Sequence, residues 1–367
     1  MSSSDTGPAP DQAPGAPHPR ETLRLLGQQQ AEAAFHDALT AGRLHHAWLL
    51  TGPKGIGKAT FAYGVARSLL APARRTAPAS VDPDHPVLRR IRAGAEPRLC
   101  TVTRSIAEKT GRLRDVIAVD DVRALHGFLG LTAADGGQRV VIVDAADEMN
   151  RAAANALLKM LEEPPRATTL LLIAHQPARL LPTIRSRCVQ LRLAPLSPAD
   201  MAAALQQAGA PELEAMQAQA LAELSGGSVG AALRLLHQDG LSLYADLVDL
   251  LAGLPSFDRA KARALADSVA GPGKADRLRL LLDLLDMALA RLARHGASGQ
   301  AAPEAAPGEA QAFARLAPDA PAGRVWAETA ARVTARARHG LAVNLDPASL
   351  VLDTVLSIAG DAQLSPT

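Results

Sequence analysis

The sequence predicts an α/β fold: a doubly wound parallel sheet built around a phosphate-binding loop, followed by helical domains. Three observations carry this expectation. A short apolar run at residues 47–50 leads through Gly52, Gly55 and Gly57 to Lys58 and then to helix-forming residues. Val140, Val141, Ile142 and Val143 form an unbroken β-branched run that ends at Asp144. Such a run suits a strand buried on both faces, and its C-terminal edge is where open α/β sheets bind ligands. Beyond about residue 196 no strand-like run recurs and the apolar spacing is helical.

Composition sets the limits. A chain of 367 residues with 48% hydrophobic content has room for two or three domains. Aromatics are only 2%, so the cores must be built from Ala, Leu and Val. With 39 basic and 37 acidic residues, the net charge of +2 neither selects nor excludes a nucleic-acid partner. Cys100 and Cys188 are the only cysteines. Two are too few for a disulfide framework or a Cys-rich zinc site, so a reducing, cytoplasmic setting is expected. No apolar run approaches a membrane span, and the N-terminal residues lack the apolar core of a signal peptide.

Taken in order, residues 1–20 are rich in Pro, Ala and Ser and are expected to be disordered. Residues 21–42 carry an apolar stripe and are predicted to be helical. Strand 47–50, the glycine turn and helix 59–70 follow. Residues 71–116, rich in Pro, Arg and Asp, give no clear element. Residues 116–119 are predicted as a strand, with Asp120 capping a helix through Leu131, and Asp135, Gly136 and Gly137 turn the chain into strand 140–143. Asn150 can cap the next helix, rich in Ala and Leu and stopped by Pro164 and Pro165. Residues 168–174 are a further buried strand. Helices are predicted at 198–208, 212–224 and 228–237, a longer helical region at 241–297, and helices again at 325–339 and 347–358. Residues 298–323, low in complexity, are expected to be a flexible insertion.

The glycine turn is G-x-x-x-x-G-K: Gly52, Pro53, Lys54, Gly55, Ile56, Gly57 and Lys58. Glycines let backbone N–H groups curl around phosphate oxygens, the helix N-terminus adds positive dipole, and Lys58 adds a full charge. The position after the lysine should hold a hydroxyl for magnesium, but it is Ala59. Thr60 lies one residue later, rotated about 100° around the helix.

These motifs, with N-A-L-L-K-x-L-E-E-P-P at 155–165 and S-R-C at 186–188, together resemble the clamp-loader branch of the AAA+ proteins. The resemblance covers about residues 23–236 by motif. It implies a P-loop AAA+ domain at 21–195, a helical lid at 196–240 and a helical collar at 241–367. It further implies a hetero-pentameric ring with gamma/tau and delta subunits. That ring uses ATP to place a sliding clamp on primed DNA, as part of the DNA polymerase III holoenzyme.

Within that family, a hydrolysing subunit carries Glu after the strand-terminal Asp, Thr after the P-loop lysine and Arg in a lid G-S-x-R. Here those places hold Ala145, Ala59 and Gly230, and Glu148 lies three residues further on. Each change removes charge stabilisation or water positioning, the effects that dominate phosphoryl transfer. The resemblance therefore implies a structural subunit with weak or absent ATP binding and negligible hydrolysis. An active gamma/tau-type ATPase is the alternative, and a nucleotide-binding scaffold outside replication a third reading. Relatives often carry a four-cysteine zinc module after the P-loop, but here only Cys100 is present, so no zinc is expected. In the family the arginine of S-R-C, here Arg187, reaches the γ-phosphate held by the neighbouring subunit; the plainer reading is a salt bridge that anchors a strand. Arg112, Arg114, Arg123 and Arg151 are candidate DNA contacts, though solvated charges are the plainer reading for them too.

Overall fold

In the computed structural model, which describes residues 9–13, 15–71, 84–107, 110–130 and 137–364, five strands form one sheet. They are β1 (Ala47–Thr51), β2 (Leu99–Val102), β3 (Arg139–Asp144), β4 (Thr168–Ala174) and β5 (Val189–Arg192), in the order β2-β3-β4-β1-β5. Every ladder is parallel. All residues of β1 and β4 and the central four of β3 are buried, which is why these strands read as unbroken apolar runs. At one edge of the sheet, β5 buries only Leu191.

Helices α1 (Gln29–Thr40), α2 (Lys58–Leu70), α3 (Pro86–Arg92), α4 (Val119–Gly130), α5 (Arg151–Glu162), α6 (Pro182–Arg185) and α7 (Pro198–Gln207) belong to the same unit. The Asn150 side chain accepts from Ala153 N at 2.8 Å and starts α5 as the sequence predicts. That helix lays Ala153, Ala154, Leu157, Met160 and Leu161 against Val141, Val143, Leu170 and Leu172 of the sheet. Because the strands are parallel, the loop after β1 and Asp144 at the end of β3 open on the same edge. This is the α/β P-loop architecture that the sequence predicts.

Contacts divide the chain into two units, Met1–Ala210 with Gly227–Leu233, and Pro211–Gly226 with Arg234–Thr367. The expected lid segment 196–240 is shared between them. The second unit holds α8 (Ala215–Ser225), the end of α9 (Val229–His237), α10 (Gly240–Ala252), α11 (Arg259–Val269), α12 (Ala275–Ser298), α13 (Glu309–Leu316), α14 (Ala320–Ala342) and α15 (Pro347–Leu364). Its core is leucine-rich, with Leu281, Leu284, Leu289 and Leu292 of α12 almost wholly buried, and includes the buried Trp326.

Several elements differ from expectation. Residues 1–8 and 14 of the expected disordered tail lie outside the described residues. The remainder packs onto the first unit, with the Asp11 and His18 side chains 7% and 6% exposed. The first helix starts at Gln29 rather than near residue 21, because Gly27 takes a left-handed conformation (φ +70°). No strand forms at 116–119: Val116 is exposed, Ile117 makes an isolated bridge to Met149, and α4 begins at Val119. The edge strand beside β3 is β2, in the stretch that gave no clear element. Leu131, Asp135 and Gly136 lie outside the described residues. The long helical region at 241–297 is three helices, separated around Pro255 and around Gly271 and Gly273. The expected flexible insertion instead holds α13, whose Glu309 is 1% exposed and pairs with the buried Arg291. A buried guanidinium needs such a partner, and low complexity in the surrounding sequence hides it.

Candidate functional site

The phosphate loop is tied to its own chain through its carbonyl groups. Lys58 is 3% exposed, and its Nζ donates to Gly52 O and Pro53 O, each at 2.6 Å. Ser228 Oγ donates to Lys54 O at 2.8 Å, and Gly230 N donates to Gly55 O at 2.9 Å. The Gln28 amide, also buried, reaches Ile56 O at 3.4 Å while exchanging hydrogen bonds with Ala194. The approach at Gly55 is close. A Cβ there would lie 2.5 Å from Ser228 Oγ, and one on Gly230 would lie 2.9 Å from Gly55 Cα. The place where the family resemblance puts a lid arginine is therefore closed to any side chain unless the backbone moves. Ala59 and Thr60 follow in the first turn of α2, partly exposed.

The acidic half of the site lies at the end of β3. Burial, aided by the charge of Asp11, pushes Asp144 up to about 7, with Lys58 opposing. Burial brings Lys58 down to about 8, and Asp144 and Asp147 counter it in part. Ala145 is buried and carries no group that could orient water. The Asp147 carboxylate accepts from His175 N at 3.0 Å and Gln176 N at 2.8 Å, fastening the end of β3 to the end of β4. Glu148, the only other carboxylate in this turn, forms an ion pair with Arg104 at 3.0 Å. His175 contributes a ring whose Nδ1 is buried without a hydrogen-bond partner. Burial and the nearby Lys58 charge hold its pKa down to about 4, so the ring is neutral at pH 7.

Arg187 follows α6, at the start of β5. Its Nη1 donates to Thr183 O at 3.1 Å, and its Nη2 meets Glu162 Oε1 at 3.0 Å. Neither partner belongs to the phosphate loop. Glu162 is the first glutamate of the E-E-P-P motif, so this ion pair joins the two motifs that carry the family resemblance. Its side chains are 38% and 45% exposed. A pair this open contributes roughly 0–1 kcal/mol and is readily exchanged for another partner. The neighbouring Cys188 thiol is pushed by burial up to about 12, so it is no nucleophile at neutral pH.

The structure thus brings together residues 52–60 and Asp144 and places Arg187 with a separate set of partners. Sequence reasoning missed Gln28, Asp147, His175 and Ser228. Asp147 and His175 each stand within three residues of a predicted strand end, where polar side chains meet the ligand edge. Gln28 acts through contacts distant in sequence and leaves no local signal, whereas Ser228 is the serine of the lid G-S-x-R pattern, whose contact with the loop that pattern does not reveal.

Comparison with known proteins identifies the family to which the chain is similar. The family profile described as "DNA polymerase III, delta subunit" matches residues 27–197. The chain is 44% identical over 204 residues to DNA polymerase III subunit delta' of Pseudomonas aeruginosa, covering 56% of this chain and 60% of that one. It is 35% identical over 259 residues to DNA polymerase III subunit delta' of Escherichia coli, covering 70% of this chain and 73% of that one. To DNA polymerase III subunit tau of Escherichia coli it is 32% identical over 184 residues, covering 48% of this chain and 26% of that one.

Proposed function

The chain belongs to the delta-prime family of DNA polymerase III subunits, and we propose that it serves in a clamp loader as a structural member that does not turn over ATP. In this reading residues 21–195 are the nucleotide-type domain, 196–240 the lid and 241–367 the collar. It works in the cytoplasm within a hetero-pentameric ring with gamma/tau and delta subunits, and the ring places a sliding clamp on primed DNA.

The observation that carries the reading is a contrast between two sites on one chain. The phosphate loop keeps Lys58, yet Ala59, Ala145 and Gly230 stand where magnesium, water and γ-phosphate would need side chains. Arg187 meanwhile remains partly exposed, in an ion pair that costs little to leave. A guanidinium is always charged and can bridge two phosphate oxygens, so it suits a role at a nucleotide held by a neighbouring subunit. An active gamma/tau-type motor would need Glu at position 145 and Thr at position 59.

ATP binding by the isolated chain is weak or absent in this account, and hydrolysis is negligible. Should nucleotide bind, residues 52–58 would hold its phosphates, with Lys58 exchanging the Gly52 and Pro53 carbonyls for phosphate oxygen. No zinc takes part, because Cys100 has no cysteine neighbours in sequence with which to form a knuckle. Steady-state ATP turnover of the purified chain, compared with its Lys58→Ala variant, tests the reading. Turnover at background in both is the expected result, and turnover that disappears in the variant would contradict it.

A further inference from the structure

The N-terminal segment packs against α2, beside Gly230 where that residue meets the phosphate loop, and again beside Gly57. Asp11 Oδ2 accepts from Tyr63 Oη of α2 at 3.3 Å, and Asp11 Oδ1 lies 3.1 Å from His18 Nε2. The His18 ring stands edge-on to Tyr63, with centroids 5.8 Å apart. The Ala13 Cβ lies 3.6 Å from where a Cβ on Gly230 would sit, at the contact between Gly230 and Gly55. Leu25 Cδ1 lies 2.8 Å from where a Cβ on Gly57 would sit. Between these places along the chain, buried Arg67 of α2 donates to Thr22 O at 3.1 Å and Leu23 O at 3.4 Å, which fixes the path of the chain.

Several of these contacts are unusual for a Pro- and Ala-rich terminus. Asp11 and His18 are both almost wholly buried, so the segment is docked by a specific polar lock and not only by apolar contact. The lock also brings the Asp11 carboxylate near enough to Asp144 for its charge to help raise the Asp144 pKa. A phosphate group entering residues 52–58 would meet this added negative charge.

We propose that residues 9–13 and 15–20 form a built-in strap that holds the phosphate loop closed and competes with the phosphates of a nucleoside di- or triphosphate for the cleft. The inference rests on reading residues 52–58 as a phosphate site, and it adds a cause for weak binding beyond the missing side chains. Binding requires Asp11 to leave Tyr63 and Ala13 to leave Gly230, and requires Lys58 to leave the Gly52 and Pro53 carbonyls. Apparent affinity is then the intrinsic affinity reduced by the fraction of chains with the strap open.

Fluorescently labelled ADP and ATP, with magnesium, serve as probes in equilibrium titrations of the full chain. The variants are Asp11→Ala, the double variant Asp11→Ala with His18→Ala, and Tyr63→Phe. The last keeps the ring packing and removes the hydroxyl that holds Asp11 and also meets Thr101 Oγ1 at 3.4 Å, and thermal melts confirm that each variant is folded. The expected result is that the double variant binds labelled ADP at least about tenfold more tightly than the unaltered chain, as opening a mostly closed site should. Tyr63→Phe should move the same way by less, and adding Lys58→Ala should abolish the gain. Equal affinity of the unaltered chain and the folded variants overturns the strap, whether all bind or none does. Tighter binding accompanied by ATP turnover would uphold the strap and overturn the non-hydrolysing reading instead.

Discussion

Replacing Glu309 by Ala should destabilise the second unit by about 4 kcal/mol, within the roughly 3–5 kcal/mol expected for breaking a buried ion pair. The Glu309 carboxylate accepts from Arg291 Nε at 2.8 Å, Arg291 Nη2 at 3.0 Å, Tyr244 Oη at 2.5 Å and Ala305 N at 2.6 Å. Arg291 is 7% exposed and keeps only the Pro303 carbonyl and the rim carboxylate of Glu223 once Glu309 is gone. Burial works against the Arg291 charge, and the Glu309 hydrogen bonds and charge more than reverse it, so the guanidinium pKa lies above its ordinary value. Glu309→Ala therefore leaves a buried cation, a buried phenol and a backbone N–H short of partners, and each orphaned neutral group adds about 1–3 kcal/mol of its own in isolation. These terms share one site and do not add.

The assay is urea unfolding followed by tryptophan emission. Trp48 lies in the first unit and Trp326 in the second, both buried, so a Trp48→Phe background reports on the second unit alone. Glu309→Ala should lower its midpoint, and Glu309→Gln, which keeps shape and one acceptor, should cost less than Glu309→Ala. A shift under about 1 kcal/mol for Glu309→Ala, the scale of an exposed pair, would refute the claim that this cluster anchors the segment after α12.

Two further outcomes follow from the site itself. Gly230→Arg should not restore catalysis: its Cβ would lie 2.9 Å from Gly55 Cα, so the variant should lose about 1–3 kcal/mol of stability in a thermal melt and show no ATP turnover. Asp144, raised to about 7 from 3.8, keeps a proton in the folded state that the unfolded chain releases. Its contribution is present below pH 4 and is lost as pH rises to 7, a fall of roughly 4 kcal/mol at 1.36 kcal/mol per pH unit, and Asp144→Asn should flatten that slope in urea midpoints measured across the window.

How much of this was legible in the sequence depended on burial and on distance along the chain. β1, β3 and β4 are buried along nearly their whole length, so all but Thr51, Arg139, Asp144, Thr168 and Thr169 are apolar and the runs stand out in the sequence. β2 buries only Val102 fully, which left its four residues without a pattern. The Asn150 cap and the strand–glycine turn–helix unit at 47–70 are local motifs, and both form where the sequence predicts them. Gln28, Ser228 and Glu309 work through partners far away in sequence, and no periodicity records such pairings. Composition favours disorder over residues 1–20, but within the described residues 9–13 and 15–20 two side chains, Asp11 and His18, supply a buried lock that composition does not register.

The central claim is that this subunit acts on a neighbour's nucleotide and not on its own. It is tested most directly by the DNA- and clamp-stimulated ATPase of a ring reconstituted with gamma/tau and delta subunits, carrying either Arg187→Ala or Lys58→Ala in this chain. The account predicts that both rings assemble, that Lys58→Ala leaves the rate unchanged, and that Arg187→Ala slows the one site beside this subunit by on the order of a thousandfold. An unchanged rate with Arg187→Ala, or a loss with Lys58→Ala, would contradict it.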